Sequence, residues 1–174
     1  MYNPGNTEEI KQLFVKTFSD SEGQSEGFII GNLVNELLTS TAGHDFYCFV
    51  ATENEQIVGS IIFSRLSFDS KINAFLLSPV AVNTSCQGKG IGQKLINFGL
   101  GSLKENGVEL AFTYGDPNFY SKVGFIPITE NIVKAPLKLT HPEGWLGRSL
   151  VSDEIKQIPG KSYCVEAFNK PDIW

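Results

Sequence analysis

Residues that build metal centres or covalent staples are scarce in this chain of 174: it has three cysteines, Cys48, Cys86 and Cys164, and two histidines. The cysteines lie far apart, without the paired Cys or His spacing of a zinc site or the density of a disulfide framework. No metal is expected, and the thiols read as reduced. Charge is sparse too, at 19% of residues, with 14 Lys and Arg against 19 Asp and Glu for a net −5. That sign argues against a nucleic acid or an anionic membrane as partner. Long apolar runs are missing: the longest uncharged stretch, Ile72 to Gly88, is broken by Asn73, Ser78, Pro79, Asn83 and Ser85. A membrane-spanning helix needs about 20 predominantly apolar residues. Met1-Tyr2-Asn3-Pro4 has neither the basic nor the apolar segment of a secretory leader, so the cytoplasm is the expected address.

What the chain does hold, 41% hydrophobic and 11% aromatic residues, is enough for one globular domain, residues 1–174, around a single core. Asn6 and Glu9 resemble a capping box before a helix marked by Ile10, Leu13, Phe14 and Phe18. After a polar stretch, Ser19 to Ser25, the series Phe28, Ile29, Leu33, Val34, Leu37 and Leu38 predicts a second helix ending near Thr39. Phe46 to Ala51 and Ile57 to Leu66 read as antiparallel strands joined by a turn over Glu53 to Gln56. Ile72 to Val82 is a further strand, with a bulge or splay at Pro79, which cannot donate a ladder hydrogen bond. A helix from Ile91 to about Asn106-Gly107 and a strand from Val108 to Tyr114 complete a βαβ unit, whose strands should be parallel and whose ligands belong at their carboxyl ends. A last strand is expected over Ser162 to Phe168.

Between strand and helix of that unit stands Cys86-Gln87-Gly88-Lys89-Gly90-Ile91-Gly92. Glycines let the backbone approach a ligand, and the unpaired amides and dipole at the helix start favour an anion such as phosphate. A dinucleotide fingerprint would need glycine where Gln93 stands, and a P-loop would need Ser or Thr where Gly90 stands. After the second strand, Asp116 suits the cap of a short helix starting at Pro117, with Gly124 at its left-handed end.

Gln87-x-x-Gly90-x-Gly92, with the strand Leu77 to Val82 before it, resembles the GNAT superfamily of N-acetyltransferases. The resemblance implies an α/β (α+β) fold: a mixed, largely antiparallel sheet with flanking helices and a splayed parallel strand pair that holds coenzyme A. It implies coenzyme contacts from Val80, Ala81 and Val82 and from Gln87, Gly88, Lys89, Gly90, Ile91, Gly92 and Gln93. Asn118 and Phe119 would add to these, and Tyr120, followed by Gly124-Phe125, would be the catalytic group near the coenzyme sulfur. Acetyl-CoA would be the cosubstrate and a primary amine of a small molecule or peptide the acceptor, attacked directly in a ternary complex. A homodimer is left open.

Tyr120, an ordinary phenol, is a weaker acid than a thiol, so hydrogen bonding to the thiolate suits it better than outright proton release. Glu26, Glu36, His44 and Asp116 are candidate bases by residue type only. Ile132 to Ile158, with Trp145 as pocket residue or buried anchor, is the expected acceptor wall. Two other readings stand beside this one: a non-catalytic acyl-CoA sensor on the same fold, and a serine hydrolase using Ser25 within Gly23-x-Ser25-x-Gly27 with His44 or His141 as base.

Overall fold

The computed structural model describes residues 2–174. Its main elements are α1 (Thr7–Glu22), α2 (Gln24–Ser40), β1 (Phe46–Glu53), β2 (Gln56–Phe68), β3 (Ala74–Val82), α3 (Ile91–Glu105), β4 (Leu110–Tyr114), α4 (Pro117–Tyr120), β5 (Ile126–Pro127), β6 (Trp145–Ser149) and β7 (Ser162–Cys164). The strands form a mixed sheet in the order β1-β2-β3-β4-β6-β5, with β7 on β2. β3 and β4 are parallel, whereas β4–β6, β5–β6 and β2–β7 are antiparallel, as the resemblance implied. The chain divides into two compact units: residues up to Phe63 with Pro79–Phe98, and Ser64–Ser78 with Gly99–Trp174.

In the first unit α1 and α2 bury Ile10, Leu13, Phe14, Leu33, Val34 and Leu37, the apolar positions that repeat at helical spacing. Their approach is set by glycine. A Cβ on Gly27 would fall 2.6 Å from the Val15 carbonyl oxygen and closer still to Ser19 Oγ, and one on Gly31 would run into Val15 Cγ2. Phe49 of β1 packs edge-on against Phe63 of β2 and Phe98 of α3, at 6.2 and 5.6 Å between centroids. Burial pushes the Cys48 thiol up to about 11, beside the Ser60 hydroxyl at 3.5 Å. The second unit is cored by Phe112 stacked on Trp145 at 5.4 Å, with Phe75, Leu77, Phe125 and Phe168 also buried.

Several boundaries differ from expectation. α1 runs through the polar stretch to Glu22, and α2 begins at Gln24; the break is Gly23, whose φ of +99 no side chain adopts easily. Ser25 therefore lies inside α2 and caps nothing. No capping box forms, because Asn6 makes no side-chain cap bond and Glu9 instead accepts the Ile57 amide at 2.9 Å. The final strand stops at Cys164 and gives way to a 3-10 turn over Glu166–Phe168. Asn54 and Glu55, both left-handed, make the tight turn between β1 and β2. Before α1, Tyr2 donates its amide to the Cys48 carbonyl at 3.0 Å. The sequence leaves Met1 to Gly5 frayed or paired through few bonds; this Tyr2 bond is such a pairing, and Met1 itself lies outside the described residues.

Gly27→Ala is expected to destabilise the protein by about 1–3 kcal/mol, since the backbone of Val15 cannot yield as a side chain can. Gly43, around which a Cβ would meet nothing within 4 Å, is the control, expected to stay within about 0.5 kcal/mol on the same substitution. Urea unfolding of both variants checks the difference.

Candidate active site

In the first unit β3 ends with Ala81 buried and Val80 and Val82 half-buried. Its exit is tied down: the Asn83 amide donates to the Val58 carbonyl at 2.8 Å, and Gln87 Nε2 reaches back to the Val82 carbonyl at 2.9 Å. Asn83 Oδ1 accepts from the Ser85 amide, and Thr84 Oγ1 donates to Asp20 at 2.7 Å. The turn that follows puts Gly88 and Gly90 in left-handed conformation, at φ +75 and +76. The Gly90 carbonyl accepts the amide of Lys94 at 3.0 Å, so α3 starts here and the amides of Ile91, Gly92 and Gln93 have no partner within the helix. Alternating left-handed glycines make a concave backbone of N–H donors suited to an anion. Lys89 at its exposed rim adds positive charge. The donor set fits a diphosphate. The Gln87 side-chain amide braces the strand end.

In the second unit the parallel ladder runs from the pair Ala74–Leu110 to Leu77–Thr113 and ends just before Ser78-Pro79, where the sequence predicts a splay. At its last rung the buried Thr113 hydroxyl donates to the Leu77 carbonyl at 2.8 Å. One residue further, the Gly115 amide turns to the Gly144 carbonyl at 3.0 Å. Asp116 then caps α4 by accepting the Asn118 amide at 2.9 Å, Pro117 is its first residue, and Gly124 closes the segment at φ +80, as the sequence indicates. Asn118 is exposed, with its side-chain amide on the same Asp116 oxygen.

Tyr120, half-buried, is held by three neighbours. Its ring meets Phe119 and Phe125 edge-on at 5.0 and 5.8 Å, and it lies over Gly115, where a Cβ would come within 2.8 Å of Cε2. Burial raises the phenol above its ordinary value of 10.0; the nearby Thr113 hydroxyl opposes this and the Asp116 carboxylate adds to it.

Other expected site features fare differently. Trp145 is a buried anchor: it lies on β6 between β4 and β5, fully covered, with Nε1 on the Val133 carbonyl at 2.9 Å. That strand makes part of the supposed acceptor wall an interior sheet strand. Nearer α4, a hollow of about 370 Å³ is lined by Tyr114, Gly115, Pro117, His141, Glu143 and Gly144. The Tyr114 hydroxyl there accepts the His141 amide at 2.7 Å. Ser25 sits in the first turn of α2, directly after another helix, which removes the strand a nucleophile elbow requires. Of the candidate bases, Asp116 is committed to its cap, His44 lies 3.5 Å from Asp45 in an exposed turn, and Glu26 and Glu36 are on α2. Sequence reasoning missed Thr113 and Tyr114, although both stand at the carboxyl end of a βαβ strand, where ligand contacts concentrate.

A glycine turn heads α3 at the exit of β3 in the first unit, and a capped tyrosine helix follows β4 in the second. Residues 44–127 match the family model described as the acetyltransferase (GNAT) domain. The chain is 28% identical over 141 residues to the uncharacterised N-acetyltransferase YjhQ of Escherichia coli, covering 78% of this chain and 77% of that protein. Among solved structures it resembles the Escherichia coli GNAT-family N-acetyltransferase YhbS in complex with CoA, with a TM-score of 0.82, 24% identity and coverage of 97% of this chain and 89% of that one. A Brucella melitensis GNAT-family acetyltransferase in complex with acetyl-CoA gives a TM-score of 0.74 at 25% identity, covering 97% and 95%. These similarities support a GNAT N-acetyltransferase.

An acid whose neutral form the fold favours keeps its proton longer than it does unfolded. Its stabilisation is therefore present below the ordinary phenol range and is lost as pH rises through the higher native value. Alkaline titration of tyrosinate absorbance should show one of the five tyrosines ionising late, and Tyr120→Phe should remove that step. A Tyr120→Phe variant that retains the late step contradicts the assignment.

Proposed function

We propose that the protein transfers an acetyl group from acetyl-CoA to a primary amine of a small molecule or peptide in the cytoplasm, with residues 1–174 acting as one acetyltransferase domain. The observation that carries this reading is the pair of left-handed glycines, Gly88 and Gly90, at the head of α3. The coenzyme diphosphate is assigned to the amides of that turn with Lys89 beside them, the pantetheine arm to the backbone of Val80 to Val82, and the sulfur to Tyr120. Asn118 and Phe119 of α4 are assigned to the coenzyme as well. Relatives solved with CoA and with acetyl-CoA support the choice of cosubstrate.

Acetyl transfer forms an N–C bond and breaks C–S, and one nitrogen proton leaves with the thiol. The amine must attack neutral. With a Lys-like pKa of about 10.4, only about one part in 10³ is neutral at pH 7, so turnover should rise with pH until deprotonation ceases to limit it. Backbone amides near Val80 to Val82 suit the oxyanion formed on attack. Full proton transfer from a phenol of pKa about 10 to a thiolate of about 8.5 is uphill by about 2 kcal/mol, and the buried Tyr120 is a still weaker acid. Tyr120 therefore serves the departing sulfur by donating a hydrogen bond, or by passing on a proton received from the amine.

The test is transfer of radiolabelled acetyl across a panel of amines. Tyr120→Phe should lower turnover by about tenfold or more and leave coenzyme affinity near its starting value. Unchanged turnover removes Tyr120 from the mechanism, and coenzyme binding without transfer to any amine of a broad panel favours a sensor.

A further inference from the structure

The hollow beside α4 carries two proton-handling side chains that the fold does not use. Its rim includes the turn His141-Pro142-Glu143-Gly144, and three hydrogen bonds set the shape of that turn and hold it against the end of β4. The Gly144 amide donates to the His141 carbonyl at 2.9 Å, the Tyr114 hydroxyl accepts the His141 amide at 2.7 Å, and the Gly144 carbonyl accepts the Gly115 amide at 3.0 Å. Gly144 sits so close that a Cβ there would lie 3.0 Å from the Gly115 carbonyl oxygen. All of these contacts run through backbone and Tyr114, so they ask nothing of the side chains at 141 and 143. Those side chains are 73% and 71% exposed, with His141 Nδ1 3.4 Å from Glu143 Oε1, and among the described residues neither has another polar partner.

A carboxylate beside Nδ1 favours the imidazole tautomer with its proton there, which leaves the lone pair on Nε2 to accept another. Histidine is the side chain whose ordinary titration lies nearest neutrality, as a base working at neutral pH requires. The pair also borders the space the chemistry needs. Of the residues lining the hollow, only His141 and Glu143 accept a proton near neutral pH. Gly115, another lining residue, is shared with the tyrosine: Tyr120 lies over it, with Cε2 2.8 Å from where a Cβ would be. The next carboxylate along the chain, Asp116, is occupied by the backbone and side-chain amides of Asn118.

We propose that His141 is the general base of the transfer, taking a proton from the attacking nitrogen at Nε2, and that Glu143 is the positioning residue that holds its tautomer. This rests on the acetyl-transfer reading. The amine enters neutral. As N–C forms, the nitrogen becomes acidic and one of its protons moves to Nε2; C–S then breaks with its electron pair on sulfur. His141 returns to neutral by giving that proton to water, and the thiolate takes one from water while Tyr120 holds it by a hydrogen bond, so amide and thiol are the net products.

Imidazole nitrogen resonances of the two histidines, His44 and His141, test the pairing in the whole chain by itself. Above neutral pH His141 should show the Nδ1–H tautomer in the wild type and lose that preference in Glu143→Ala; an unchanged tautomer removes Glu143 from its role. Acetyl transfer is then read with the fastest acceptor of the amine panel. His141→Ala should lower kcat about a hundredfold and leave the KM for acetyl-CoA unchanged. Added imidazole should restore part of the loss in His141→Ala and none in Tyr120→Phe. Both side chains are exposed, so neither substitution at 141 or 143 threatens the fold. Wild-type kcat in His141→Ala, or a loss that imidazole leaves untouched, overturns the base. A wild type that transfers to no amine of the panel defeats the acetyl-transfer reading itself, whereas an active wild type indifferent to His141→Ala defeats only the base.

Discussion

Two backbone conformations that side chains resist, at Gly88 and Gly90, determine what this site can hold. An L-residue forced into such a conformation carries strain of order 1–3 kcal/mol. Such a pair favours a concave run of amides at the start of α3, where helix geometry leaves further amides unpaired. The first unit braces that turn from outside. Gln87 is tied to Val82, Asn83 to Val58 and Ser85, and Thr84 to Asp20. The buried Cys86 thiol adds a hydrogen bond to Glu53 Oε2 at 3.8 Å.

In the second unit the controlling feature is a strand pair that stops pairing. Thr113 takes the Leu77 carbonyl with its side chain, and Gly115 turns its amide to Gly144. The chain then enters a helix whose cap, first residue and left-handed end are all specified locally by Asp116, Pro117 and Gly124. Tyr120 is delivered as a half-buried phenol that holds its proton tightly. In the proposed transfer a group of this kind would donate a hydrogen bond to a developing thiolate without surrendering its proton at neutral pH.

Features encoded by adjacent residues were legible in the sequence. The glycine turn, the Asp116-Pro117 cap, the parallel βαβ unit and the end of pairing before Pro79 all follow from local stereochemistry. Features that depend on distant partners were not. Glu9 has the spacing of a capping residue, yet the Ile57 amide takes its carboxylate. β6 escaped notice because a short strand containing Gly147 and Arg148 has weak periodicity, and it exists by pairing with β4 and β5. Trp174 carries no motif, and its place among Tyr114 and Phe168 arises only from packing.

Calorimetric titration of coenzyme A into the wild type and into Gly88→Ala and Gly90→Ala tests the central claim most directly. Saturable binding to the wild type, weakened about tenfold or more in each variant, is the result this account predicts. No heat with the wild type, or equal affinity in all three proteins, would contradict it.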